Sequence, residues 1–333
     1  MKRFLAAFTA AGLLLAAVPG AASAAPTATG TAAVGLHNAY TQEAAPYLVD
    51  ALDKKPGMIE IDVWTNFFGT RDFQVGHDPG NHNNCSNSTT YEGLRSGSRD
   101  QNLAACLRNL KLWHDRNPNH PLMVLKVEMK NGFDGRAGFG VPQFDTLLAN
   151  TIGASNFFSP ANLKGGHADL DTAARAGAWP SRAALAGKFL VILENGTFEL
   201  QNPFDNYDTD LEVADRLIAA NTSGTLASAL SFPAINGASA TDPRTGDRGG
   251  ARKPWMVAFD GGASSYAGFG STPYLGGNYL VVMTDAHNVA PAIDSRTPAV
   301  ADAQAKVRQL AGIGASIVSS DWTSPEILSY TAS

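Results

Sequence analysis

The feature that most constrains this chain is an alternation of eight short apolar runs with helical stretches. The runs are Ala33–His37, Met58–Val63, Phe73–His77, Leu122–Glu128, Phe189–Leu193, Pro254–Phe259, Tyr279–Met283 and Ala315–Val318. Helical spacing marks Glu43–Lys54, Asn102–Arg116, Pro142–Thr151, Leu211–Ala220 and Val300–Ala311. Strands that alternate with helices imply a parallel sheet. Most runs also carry an ionisable residue at or near the C-terminal end: His37, Glu60 with Asp62, His77, Glu128, Glu194, Asp260, Asp285 and Asp321. A packed core explains the apolar part of each run. It does not explain acids and histidines gathered at one end of so many. In an α/β barrel that end is the functional face. No glycine-rich dinucleotide fingerprint follows the first run, which counts against an open doubly wound sheet. The expectation is a TIM-type (β/α)8 barrel, a single domain over residues 33–333, with a few of the acids, such as Asp321, starting turns or capping helices instead.

Two runs carry the chemistry. In Met58–Val63, side chains alternate, so Glu60 and Asp62 share one face and Ile59, Ile61 and Val63 the other. Two carboxylates about 7 Å apart on one strand face repel unless something positive lies near. In the fourth run Lys126, Glu128 and Lys130 share a face. Three carboxylates against one or two lysines leave room for a cation, and hard oxygen ligands select Ca²⁺ or Mg²⁺. Neither an H-x-x-x-H pattern nor a cysteine cluster suggests zinc. His37, followed by Asn38, and His77, followed by Asp78, end two further runs. Two histidines beside a cation at one barrel mouth suit general acid and base work near neutral pH. No G-x-S-x-G nucleophile elbow is present.

The N-terminus reads as an export signal. Lys2 and Arg3 precede an apolar stretch from Phe4 to Val18, and Ala22-Ser23-Ala24 offers a small-residue cleavage site. Residues 1–24 are therefore expected to be a signal peptide, residues 25–32 a flexible leader, and the product a secreted protein. In an exported chain the two cysteines, Cys85 and Cys106, read as one disulfide. Such a bridge adds about 3 kcal/mol. The net charge is −5, with no Lys/Arg-rich run of the kind that grips nucleic acid.

In order along the chain, His37-Asn38-Ala39-Tyr40, Glu60-Ile61-Asp62, His77 and Glu128 resemble the calcium-dependent phosphoinositide-specific phospholipases C, most closely their secreted bacterial branch. Asn117-Pro118-Asn119-His120-Pro121, the run Trp179-Pro180-Ser181 through Val191, and Gly314 to Asp321 extend the likeness. The segment Asn221–Arg252 has no counterpart, and Trp322 stands where tyrosine is common. The resemblance implies that His37 and His77 are the catalytic pair and that Asn38, Glu60, Asp62 and Glu128 hold Ca²⁺. It implies a phosphoinositide lipid substrate at a membrane surface, a monomeric enzyme and no nucleic-acid partner. Lys126, Lys130, Glu194 and Asp285 are expected on the substrate side. Trp64, Phe67 and Phe68 are expected to form a packed loop, with lipid contact at the rim as the alternative. The rival readings are a related barrel phosphodiesterase, of glycerophosphodiesterase or sphingomyelinase D type, and a non-catalytic secreted calcium-binding barrel.

Overall fold

The structure, a computed structural model, describes residues 26–67, 70–78, 82–99, 102–199, 202, 205, 207–270 and 273–333. The signal peptide expected over residues 1–24, and Phe68, lie outside them. The described residues form ten strands and nine α-helices. The strands are β1 (Ala32–Leu36), β2 (Met58–Phe67), β3 (Thr70–Val75), β4 (Met123–Met129), β5 (Phe189–Asn195), β6 (Ser231–Asn236), β7 (Ala258–Gly262), β8 (Leu280–Thr284), β9 (Ile317–Ser320) and β10 (Thr331–Ala332). The helices are α1 (Leu48–Leu52), α2 (Leu103–Arg116), α3 (Val141–Leu148), α4 (Pro160–Lys164), α5 (Leu170–Arg175), α6 (Thr209–Thr222), α7 (Ala263–Phe269), α8 (Val300–Ala311) and α9 (Pro325–Leu328). None of the described helices is long and apolar enough to cross a membrane.

Eight strands, in the order β1-β2-β4-β5-β6-β7-β8-β9, pair in parallel, and the β1–β9 pairing closes the ring. The expected barrel is present, with one strand exchanged. The run Phe73–His77 belongs to β3, which pairs antiparallel with β2 as the outer arm of a hairpin. Its place in the ring is taken by β6, inside the segment Asn221–Arg252 that had no counterpart. The sequence of β6, Ser-Phe-Pro-Ala-Ile-Asn, hides it, because Pro233 lacks a ladder donor and normally argues against a central strand. Burial explains why the strand forms anyway: all of it except Asn236 is enclosed.

Helix ends follow local chemistry. Pro46 disfavours helical backbone before it, so the expected helix from Glu43 shrinks to α1. Asn102 caps α2 by accepting from the Ala105 amide at 3.2 Å. Residues 26–32 do not form a free leader: Ala28 and Ala32 are buried, and the Ala28 amide donates to Pro180 O at 2.7 Å. Cys85 and Cys106 form the expected disulfide.

Candidate active site

The site grows from the C-terminal ends of β1, β2 and β4. At the end of β1 the chain turns through Asn38, whose φ of +49° lies in the left-handed region that asparagine tolerates better than most residues. The turn aims the Asn38 amide at Glu60 Oε2, 3.4 Å away, and the Tyr40 hydroxyl donates to Asn38 Oδ1 at 3.1 Å. Parallel register sets Glu60 beside Lys126 and Asp62 beside Glu128. Oxygens of Glu60, Asp62 and Glu128 lie within 4.8 Å of one another.

This trio fits a hard dication. All its donors are oxygen, and Asp62 Oδ1 is buried without a hydrogen-bond partner. Burial, and then the charges of Glu60 and Glu128, push the Asp62 carboxyl up to about 7 even with Lys130 beside it. Lys130 Nζ lies 3.2 Å from both Asp62 Oδ2 and Glu128 Oε1, so its single charge is shared. Glu128 is further fixed by the Thr197 amide (2.7 Å) and hydroxyl (2.6 Å). That contact depends on Gly196, where a Cβ would sit 2.1 Å from Met129 O.

Beneath the trio, Lys126 spans the barrel. Its ammonium lies 3.2 Å from Glu60 Oε1 and 3.0 Å from Glu194 Oε1, and it also pairs with Asp260. Burial opposes a charge on Glu60, but Lys126 and then His37 outweigh it and hold the carboxyl below its usual range. Glu194 goes the other way: burial and the neighbouring Asp260 push it well above the usual carboxylate range.

His37 and Asn38, which approach Glu60, also line a cleft of about 550 Å³ whose walls further include His77, His82, Arg296 and Asp321. His37 is clamped from both sides. Its Nδ1 lies 2.8 Å from Asp321 Oδ1 and its Nε2 3.4 Å from Glu60 Oε2. Burial pulls the imidazole down, but Glu60 and Asp321 together outweigh that and raise it to about 9. His77 is exposed and faces Asp78 Oδ2 at 3.1 Å.

The structure gathers Glu60, Asp62, Glu128 and Lys130 into one cluster, joins His37 and Asn38 to it through Glu60, and sets His77 on the wall of the cleft that His37 and Asn38 also line. Lys126 and Glu194 are buried, Glu194 in register with Glu128, and neither lines the cleft. Asp285 is exposed in a turn at φ +54° and does not line the cleft. Trp64 is a packed residue: its indole donates to Gly76 O at 2.8 Å and its ring lies 5.4 Å from that of Phe198. Residues 66–67 are described through their backbone alone. Sequence reasoning treated Asp321 as a strand-end acid or cap, and the structure makes it the partner of His37. His82 and Arg296 also line the cleft. Nothing in their local sequence distinguishes them from other loop residues.

A family described as "Phosphoinositide phospholipase C, Ca2+-dependent" matches residues 92–244. A calcium-dependent phosphatidylinositol-specific phospholipase C from Streptomyces antibioticus is 42% identical, with a TM-score of 0.87 over 92% of this chain and 99% of that one. A calcium-dependent phosphoinositol-specific phospholipase C from a Gram-negative Pseudomonas sp. superposes with a TM-score of 0.64 over 92% of this chain and 93% of that one. At 17% identity it supports the fold alone. No curated protein sequence matches. By the identity and coverage of the Streptomyces match, and by the carboxylate trio and clamped histidine in the barrel mouth, this chain belongs to the calcium-dependent phosphoinositide-specific phospholipases C.

Proposed function

We propose that this enzyme cleaves phosphatidylinositol to diacylglycerol and a cyclic inositol phosphate, with Asn38, Glu60, Asp62 and Glu128 holding Ca²⁺. The observation that supports the reading is the acidic trio with its orphaned Asp62 oxygen, joined through the 3.4 Å approach of Glu60 to His37 to a cleft whose walls include both His37 and His77. Bound calcium would supply positive charge for a phosphoryl oxygen and lower the pKa of the attacking hydroxyl.

The chain's own residues do the rest. Glu60, held ionised by Lys126, is placed to accept the proton of an inositol hydroxyl as that oxygen bonds to phosphorus. His37, kept protonated by Glu60 and Asp321, donates to the phosphoryl oxygen. His77, on the open wall, gives a proton to the diacylglycerol oxygen as the bond from phosphorus to that oxygen breaks. Lys130, 3.2 Å from both Asp62 Oδ2 and Glu128 Oε1, neutralises part of their repulsion. The substrate is a lipid met at a membrane surface by a monomer, and nucleic acid is not a partner. Export belongs to the same proposal, since the expected signal peptide and the Cys85–Cys106 bridge both suit an oxidising compartment.

Product release tests the reading. Diacylglycerol should appear from phosphatidylinositol with calcium and not with EGTA, and His77→Ala should cut turnover by about 100-fold or more. Release of choline or free glycerol from other phosphodiesters, with phosphatidylinositol untouched, would move the assignment to a glycerophosphodiesterase or sphingomyelinase D chemistry.

A further inference from the structure

The barrel has a second pocket, at the opposite end from the active site. Its volume is about 310 Å³, and it lies among the N-terminal ends of β1, β2 and β4, the segment leading into β5, and the C-terminal α9 and β10. Leu122, Pro121, Ala186 and Leu328 give it apolar walls, and two cations, Lys55 and Arg182, line it. No aspartate or glutamate lines it among the described residues. That is unexpected in a chain of net charge −5.

Arg182 is the unusual member. Its Nε donates to Thr31 O at 2.9 Å and its Nη2 to Ser316 O at 2.8 Å. Both partners are backbone carbonyls, and no ion pair is formed by this guanidinium among the described residues. Arg182 is only partly buried, whereas Arg244, a fully buried arginine in the connection between β6 and β7, is met by Asp242 and Asp171. Two carbonyls use only part of the guanidinium's N–H donors, and they neutralise none of its charge. Burial without an acid nearby lowers the Arg182 guanidinium to about 10. A second positive feature adjoins: Tyr330, on the same wall, accepts from Arg308 Nη1 at 2.7 Å.

We infer that this floor pocket binds a small amphipathic carboxylate, the anion meeting Arg182 and a short alkyl chain lying along Leu122, Pro121 and Leu328. A planar guanidinium matches a carboxylate geometrically as well as electrostatically. The volume stands at the small end of ligand pockets, roughly 300–1,000 Å³, which suits a ligand of about ten heavy atoms. The apolar walls disfavour a polyol phosphate such as an inositol phosphate, so the pocket is not a second copy of the active-site specificity.

Calorimetric titration of the whole calcium-loaded protein with sodium octanoate tests this, with octanol and sodium sulfate as the chain-only and charge-only arms. The inference predicts saturable octanoate binding, at least tenfold weaker binding of octanol and of sulfate, and at least a tenfold loss of octanoate affinity in Arg182→Gln. Ala186→Trp, which fills the pocket from its rim, should abolish octanoate binding while leaving phosphatidylinositol hydrolysis unchanged. Absence of saturable octanoate binding, equal binding of octanol or sulfate, or octanoate affinity retained in Ala186→Trp would overturn it. If Arg182→Gln fails to fold, the Ala186→Trp result decides.

Discussion

His37 shows how much a single residue's surroundings decide. On its own the side chain is an exposed-range imidazole. In the fold Asp321 takes one ring nitrogen and Glu60 approaches the other, which fixes both the ring's orientation and its charge. Asp321→Asn keeps the size and loses the charge. We expect it to lower kcat by about 10- to 100-fold, with a change of only a few degrees in Tm. A steady-state assay paired with a thermal melt checks this, and an unaltered kcat would remove Asp321 from the mechanism. The E-x-D spacing of Glu60 and Asp62 was legible in the sequence because strand alternation alone puts both on one face. The His37–Asp321 clamp was not, because it joins residues 284 apart in the chain. Lys126 illustrates the same limit. Its face was readable, but its depth was not. Depth turned an expected substrate contact into a counter-ion for Glu60, Glu194 and Asp260.

At the scale of elements, the connection from β6 to β7 departs most from a regular barrel. Residues 237–257 contain no α-helix; in its place the segment is pinned by three arginines, each meeting a different acid. Arg244 reaches Asp171 at 2.7 Å, Arg248 reaches Asp208 at 2.7 Å and Arg252 reaches Asp215 at 2.7 Å. Arg244 is fully enclosed and also donates to Met256 O and the Tyr279 hydroxyl. Removing one partner of a buried charge network leaves the other uncompensated, so Arg244→Met should cost about 3–5 kcal/mol in denaturant unfolding. Partly exposed Arg252→Gln should cost about 1 kcal/mol or less. Equal effects from both would show that burial is not what distinguishes them. This segment was opaque in the sequence for a physical reason. Ion pairs between distant residues leave no periodicity, and Pro233 masks the strand that precedes them.

The turn between α2 and β4 carries a pH-sensitive contact of its own. His114 Nδ1 and His120 Nε2 face each other at 3.1 Å, with Trp113 and Phe189 against them. Burial lowers both imidazoles below their ordinary value of 6.5, with Lys111 and Lys188 also disfavouring charge on His114 and Asp115 favouring it. The unfolded chain therefore takes up protons before the folded one. Stability is full above about pH 6.5 and falls as the pH drops below it. A series of urea melts should show this acid-side loss, and His114→Phe should make its slope shallower. An identical slope in the variant would place the acid sensitivity elsewhere.

For the whole molecule, the sequence's alternation of strands and helices was enough to anticipate a closed parallel barrel with its chemistry at one end. The identity of the strands was less secure, since β3 and β6 exchange roles between expectation and structure. The reason is that a hairpin arm and a barrel strand have the same local pattern, and only register distinguishes them. The clustering of Glu60, Asp62 and Glu128 was easier to read than the strands, because charge at a strand end is costly and so carries information. The central claim is that the acidic trio and the two histidines together make a calcium-dependent phosphatidylinositol phosphodiesterase. Phosphorus NMR of phosphatidylinositol incubated with the protein tests it most directly, in parallel samples with calcium, with EGTA, and with Asp62→Asn in calcium. The account predicts loss of the lipid phosphodiester signal and growth of a cyclic inositol phosphate signal in the first sample only. Conversion in EGTA, or full conversion by Asp62→Asn, would contradict it.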